Sequence, residues 1–256
     1  MPLINLQRNL PDNFSLDIII PTYKNKKGLR RTLNSISSNK NVNVIVVDDA
    51  SSLDYSDILE EYPAVHFYQL DYNQGPGMAR QYGLEHSNGM YVTFLDTGDY
   101  FYENGLETIM QAINENTYIK LYTFSYVYDD KNILSDRPDD KTIGSVYKRS
   151  FIEMYNIHFS KEGSYANEDY GFSRACKLIL DQWQRFYFSD ARKHIKIPVF
   201  YEHIDNKSLT KANNNEFFFT KLSPGIIING VHAIEIARKA GIEVKYLIEE
   251  YNFILA

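Results

Sequence analysis

Five groups of residues in this chain carry side chains that can do chemistry, and three of them are acidic pairs. Asp48-Asp49 follows an apolar run, Asp96-Thr97-Gly98-Asp99 follows another, and Glu168-Asp169 stands at the start of an amphipathic segment. Asn73-Gln74-Gly75-Pro76-Gly77-Met78-Ala79-Arg80 joins glycines to a cation, and His203 follows Glu202 at the end of a later apolar run. Two carboxylates crowded on a tight turn, as in Asp96 to Asp99, repel unless a cation or hydrogen-bond donors lie between them. A Mg²⁺ or Mn²⁺ shared with phosphate oxygens would meet that need, and Asp99 as a cap for the helix near Glu103 is the plain alternative. Asp49 can accept from a base N–H or a ribose hydroxyl, although an Asx turn over Asp48 to Ser52 explains the same residues. Arg80, about one turn inside a helix begun by Gly75, can reach back toward phosphate or carboxylate. A carboxylate at a helix N-terminus, such as Asp169, is held as the anion, which suits a general base and equally a simple cap. His203 could complete a metal shell, against the commoner structural role of a lone histidine.

The elements that must position these groups alternate regularly. Leu16 to Ile20, stopped by Pro21, reads as a buried strand; Lys27 to Ser38 has helical spacing; Val42 to Val47 is β-branched; Asp54 to Glu61 is a short helix. Val65 to Leu70, Gly75 to His86 and Tyr91 to Leu95 continue as strand, helix and strand. This order predicts an α/β fold with a mostly parallel central sheet flanked by helices, whose ligands lie beyond the carboxyl ends of the strands. Pro21-Thr22-Tyr23, Asp48-Asp49, Asn73 to Arg80 and Asp96 to Asp99 all fall there. After a helix near Glu103 to Asn116, Tyr118 to Tyr128 alternates like an exposed edge strand, with a turn at Asp129 to Asn132, so the second half reads as mixed. Ile195 to His203 is a strand, and Ile226 to Lys239 and Val244 to Ile254 read as a C-terminal helical pair. The expected divisions are an N-terminal extension (1–15), a catalytic domain (16–210) made of a nucleotide-binding half (16–117) and an acceptor half (118–210), and a helical appendage (211–256).

At 256 residues the chain can bury one large core. A net charge of −6 argues against a broad nucleic-acid-binding face, leaving only the local cluster Lys24, Lys26, Lys27, Arg30 and Arg31. Cys176 is the single cysteine and sits in an apolar run, so no internal disulfide forms and a packing role is expected. No stretch reaches the ~20 apolar residues that span a bilayer, so the expected location is cytoplasmic, peripheral to a membrane at most. The C-terminal helices offer a surface for a homo-oligomer.

Taken in order, these groups resemble the family 2 glycosyltransferases, enzymes of the GT-A fold with a Rossmann-like nucleotide-binding half. The resemblance rests on Asp17-Ile18-Ile19-Ile20-Pro21-Thr22-Tyr23-Lys24-Asn25, Val46-Val47-Asp48-Asp49-Ala50-Ser51, Asn73 to Arg80, Phe94-Leu95-Asp96-Thr97-Gly98-Asp99 and Glu168-Asp169. It implies an inverting enzyme that takes a nucleotide-diphosphate sugar, a UDP-sugar first. Pro21, Thr22, Tyr23, Asn73, Asp49, Arg80, Asp96 and Glu168 would then line the donor site, and Asp169 would be the catalytic base. Asp96, Asp99 and His203 would hold a divalent metal, Mn²⁺ or Mg²⁺. The chain departs from the family's Asp-x-Asp-Asp pattern at Gly98, where the metal-binding carboxylate usually stands, so either Asp99 and His203 hold the cation or Arg and Lys take the diphosphate. The implied acceptor is a cell-surface glycan or its precursor, with a hydroxyl of a modified phage DNA base as second choice. A nucleotidyltransferase would need a Gly-rich loop after the first strand, which Pro21 to Lys24 is not. A non-catalytic nucleotide-sugar binder remains as a reading of Gly98.

Overall fold

The computed structural model describes residues 15–128, 133–135, 141–187, 191–203 and 223–243, with residues 245 and 247. The first half runs β1 (Leu16–Thr22), α1 (Lys26–Asn34), β2 (Val42–Asp48), α2 (Ser56–Glu61), β3 (His66–Gln69), α3 (Pro76–Glu85) and β4 (Tyr91–Phe94). It continues through β5 (Tyr100–Phe101), α4 (Gly105–Glu115), β6 (Leu121–Tyr128), β7 (Ile133–Ser135), β8 (Ser145–Lys148) and α5 (Arg149–Met154). The last elements are α6 (Glu168–Tyr187), β9 (Arg192–Glu202) and α7 (Ser223–Lys239).

The strands make one sheet in the order β3-β2-β1-β4-β8-β6-β9-β5, with β7 on β6. β1 pairs in parallel with β2 and β4, so Ile19 lies between Ile45 and Phe94. The chain steps outward from β1 to β3 and then returns to the other flank of β1 as β4. That reversal opens a crevice at the carboxyl ends of β1 and β4, which is where an α/β sheet of this kind takes ligands.

Alternation along β1 sends Leu16, Ile18 and Ile20 into one core and Ile19 into another, on opposite faces of the sheet. Each fully buried Ile, Leu or Phe contributes ~1.5–3 kcal/mol, so both layers are held mainly by apolar burial. α1 is started by Asn25, whose Oδ1 accepts from the Gly28 amide at 2.9 Å, and it buries Leu29 and Leu33.

Two sequence expectations are corrected here. The segment read as an exposed edge strand is interior, because β6 has β8 on one flank and β9 on the other and residues 121–127 are all buried. Its Thr and Ser residues imitate a solvent face but are inside, with Thr123 Oγ1 3.0 Å from His194 Nδ1. Asp99 does not cap α4. That helix starts after Asn104, which takes the left-handed region at φ +50°.

At the C-terminus, α7 lies against α6, and Ala233, Ile236 and Ala237 join the same core as Ile19 and Phe172. Asn229 is buried between them and donates to the carbonyls of Gly163 and Ala166. The second helix expected over Val244 to Ile254 lies mostly outside the described residues, as do all but the last residue of the expected 1–15 extension and the turn at Asp129 to Asn132. Among the described residues no helix is long and apolar enough to cross a membrane.

Candidate active site

The two aspartates that end β2 have different roles. Asp48 is fully buried and accepts from the Ser51 amide, the Ser51 and Tyr55 hydroxyls and the Gln69 side-chain amide, which makes it the organiser of the turn. Asp49 reaches across to the next loop, where Oδ1 accepts from the Gln74 amide at 2.7 Å and Oδ2 from the Gly75 amide at 2.8 Å. Asn73 Nδ2 returns a bond to the Asp49 carbonyl at 3.2 Å. Burial raises the Asp49 carboxyl above its usual range, against the two amides that lower it. Both oxygens keep a second lone pair for a ligand.

The Gly-Pro-Gly turn is required by the protein itself. Gly75 has φ +88°, and a Cβ there would stand 2.6 Å from the Ser164 carbonyl oxygen; one at Gly77 would stand 2.9 Å from Glu168 Cβ. Ser164 takes over the capping of α3, accepting from the Met78 amide at 2.8 Å and donating to the Gln74 carbonyl at 2.6 Å. Nothing local in the sequence marks Ser164 for that role. Gly75→Ala is expected to destabilise the fold by ~1–3 kcal/mol, because Ala must adopt a strained φ against packed backbone. Thermal melting checks this, and an unchanged midpoint would mean the turn yields freely.

One helical turn into α3, Arg80 is almost wholly buried. Its Nη1 donates to Glu168 Oε1 and its Nη2 to Asp96 Oδ1, so one guanidinium ties the β4 turn to the start of α6. The sequence left phosphate or carboxylate open for this arginine, and the structure closes it between two carboxylates. Burial works against its charge, but Asp96, Glu168 and Asp169 more than offset that and hold its pKa up. Glu168 is pushed up to about 7 by burial, which outweighs the lowering by Arg80. Asp169 is raised by burial too, with Arg80 and Lys141 opposing and Asp96 reinforcing. Asp169 is half-buried, and among the described residues its carboxylate accepts only from the Tyr170 amide, at 3.0 Å.

The Asp96 to Asp99 turn is pinned to β1 and α1. Thr97 Oγ1 donates to the Pro21 carbonyl at 2.7 Å, the Gly98 amide donates to Thr32 Oγ1 at 2.9 Å, and that hydroxyl donates to the Asp99 carbonyl at 2.7 Å. Asp99 Oδ1 accepts from the backbone amide of His203 at 2.8 Å, and burial holds its carboxyl well above the usual range. Close by, Lys141 Nζ lies 3.5 Å from Glu202 Oε2, a pair that sequence reasoning missed. Thr22 is buried at the end of β1, Pro21 is buried beside it, and Tyr23 is 45% exposed. Tyr165 stands over the loop with its hydroxyl donating to the Asn73 carbonyl at 2.8 Å, and the exposed Tyr23 and Tyr72 lie near it, with Lys24 Nζ 4.9 Å from the centre of the Tyr23 ring.

The expected metal shell does not form from these side chains. Asp96 is engaged by Arg80, Asp99 is buried and accepts from the backbone amide of His203, and Gly98 carries no side chain. Among the described residues no three His, Cys, Asp or Glu side chains group as ligands. The donor set present does not fit a divalent cation.

With this geometry in view, the glycosyl transferase family 2 model matches residues 17–179. The chain belongs to this family. An uncharacterized glycosyltransferase of Rickettsia bellii is 28% identical over 124 residues, 46% of this chain and 18% of that one. A GalNAc(5)-diNAcBac-PP-undecaprenol beta-1,3-glucosyltransferase of Campylobacter jejuni is 33% identical over 107 residues, 39% of this chain and 35% of that one. The family 2 chain therefore spans well under two thirds of the length of either relative. The crystal structure of S. aureus TarS 1–349 in complex with UDP superposes with a TM-score of 0.67 at 19% identity, covering 94% of this chain and 71% of that one. The fold is the GT-A type that the ordered strand-end motifs imply.

Proposed function

We propose that the chain is an inverting glycosyltransferase that takes a nucleotide-diphosphate sugar, a UDP-sugar first, and delivers the sugar to an acceptor hydroxyl. Asp169 removes the acceptor proton as the oxygen attacks the anomeric carbon on the face opposite the leaving diphosphate. The observation that carries this reading is the meeting, at the sheet's switch point, of the Asp96 turn with Arg80 and the Glu168-Asp169 pair. Arg80 takes Glu168 and Asp96, which leaves Asp169 as the carboxylate free to work as a base. Asp49, Asn73, Thr22, Tyr23, Tyr72 and Tyr165 lie where a nucleoside would stack and hydrogen-bond. The S. aureus neighbour was crystallised with UDP and with UDP-GlcNAc, which supports uridine as the first base to try.

The acceptor favoured is a surface glycan or its precursor, in keeping with the undecaprenol-linked sugar in the name of the Campylobacter jejuni relative and with a second relative, of Bacillus subtilis, named as a putative teichuronic acid biosynthesis glycosyltransferase. A DNA acceptor is less supported. Lys26 and Arg30 of the basic cluster are taken up by Asp57 and Glu61 of α2.

A thermal-shift screen of UDP-, GDP- and dTDP-sugars, with donor hydrolysis followed in parallel, tests the reading. A ligand at ~100 times its Kd adds ~2.7 kcal/mol, which for a chain of this size raises the midpoint by ~5–10 °C. One nucleotide class is expected to give that shift together with slow hydrolysis. Binding with no turnover toward any acceptor would favour the non-catalytic binder, and no shift with any of the sugars would end the donor assignment.

A further inference from the structure

We propose that Arg31, in place of a divalent cation, supplies the positive charge that receives the donor's diphosphate at the Asp96 to Asp99 turn. The inference rests on the donor reading above. A diphosphate must enter a crevice already lined by Asp96, Asp99, Asp169 and Glu202, so a cation has to meet it there. Asp96 is engaged by Arg80 and Asp99 by the His203 backbone amide, and Gly98 between them carries no side chain.

What stands over Gly98 is a guanidinium. A Cβ on Gly98 would lie 3.2 Å from Arg31 Nη2. A carboxylate on that residue would meet Arg31, and a metal ion held there would be repelled by it. Arg31 is exposed, and among the described residues no carboxylate lies within 4.0 Å of it, in contrast to its neighbour Arg30, which is bound by Asp57 and Glu61. Its guanidinium carbon is 5.9 Å from the centre of the Tyr100 ring, and that ring is stacked on Tyr201 at 4.6 Å. The next residue, Thr32, bonds both the Gly98 amide and the Asp99 carbonyl, which fixes the backbone of Arg31 to the turn. An arginine held this way presents a planar fork of donors that matches two phosphate oxygens, and its charge is permanent.

Calorimetric titration with UDP and with UMP, each in EDTA and in Mn²⁺, tests this on the wild type, Arg31→Ala and Arg31→Lys. Wild-type affinity for UDP is expected to be the same within about twofold in the two buffers. Arg31→Ala is expected to weaken UDP by about tenfold or more, the scale of a charge-assisted hydrogen bond, and UMP by much less; Arg31→Lys should recover part of the loss. Circular dichroism melts of each variant, expected to match the wild type because Arg31 is exposed, exclude unfolding as the cause. UDP binding that strengthens tenfold or more with Mn²⁺, or UDP affinity unchanged in Arg31→Ala, overturns the assignment while leaving the donor reading intact. Failure of UDP to bind the wild type in either buffer, together with no shift from any sugar nucleotide in the thermal screen, overturns both.

Discussion

Asp169→Asn is expected to lower turnover by ~10²-fold or more while donor affinity stays within about twofold. The substitution keeps the shape of the side chain and an oxygen that can still accept from the Tyr170 amide, so the start of α6 should survive. What is lost is the capacity to take a proton. The pH profile gives an independent reading. Because burial raises both Asp169 and Glu168, the latter to about 7, the acid limb of the rate should lie well above the range of an ordinary carboxylate, and turnover should fall as pH drops through it. The limb belongs to the coupled pair and not to one residue. In Asp169→Asn the residual rate should have lost that limb. Turnover within about threefold of wild type, with the limb intact, would take Asp169 out of the mechanism.

The second large effect is expected at Arg80. Arg80→Met removes a buried cation from between Glu168 and Asp96 and leaves the Glu168 carboxyl in a dry site, a change that costs ~3–5 kcal/mol in comparable buried pairs. The loss should depend on pH in a definite direction. Glu168 has a folded pKa of about 7 against 4.5 for an ordinary glutamate, so its favourable contribution is full below about 4.5 and is lost as pH rises through about 7. Arg80 is the group that lowers that pKa, so without it the carboxyl rises further and the penalty grows with pH. Urea unfolding of wild type and Arg80→Met at pH 5.5 and pH 8 should therefore give a larger gap at pH 8. Equal gaps would mean that Arg80 does not stabilise the Glu168 carboxylate. Activity should be lost with it, because the same guanidinium aligns the Asp96 turn with the start of α6.

Much of this architecture was legible locally. Ile18-Ile19-Ile20 before Pro21, the β-branched run before Asp48, and Tyr91 to Leu95 before Asp96 could only be buried strands, and helices between them demanded a parallel sheet with its polar clusters on one edge. β6 misled because Thr123 and Ser125 alternate with aromatics as they would on a solvated face, and only their neighbours β8 and β9 put them inside. The glycines of the Gly75 turn were legible as a tight passage, but not its partner. Ser164 lies 89 positions away from Gly75, and no periodicity connects them.

By itself the sequence determined the order of strands and helices from Leu16 to Leu95, the family, and the set of acidic clusters, because these depend on hydrophobic period and on short runs read within one element; β5, β7, β8 and α5 were not legible in it. Which carboxylate is paired was decided by tertiary structure alone. Arg80 closes on Glu168 and Asp96, His203 serves Asp99 through its amide, and Arg31 stands over Gly98, each through contacts between residues distant in the chain. Charge and proton affinity follow from such contacts, so the pairing of each carboxylate and the cation facing the turn are set only when the sheet has brought the pieces together.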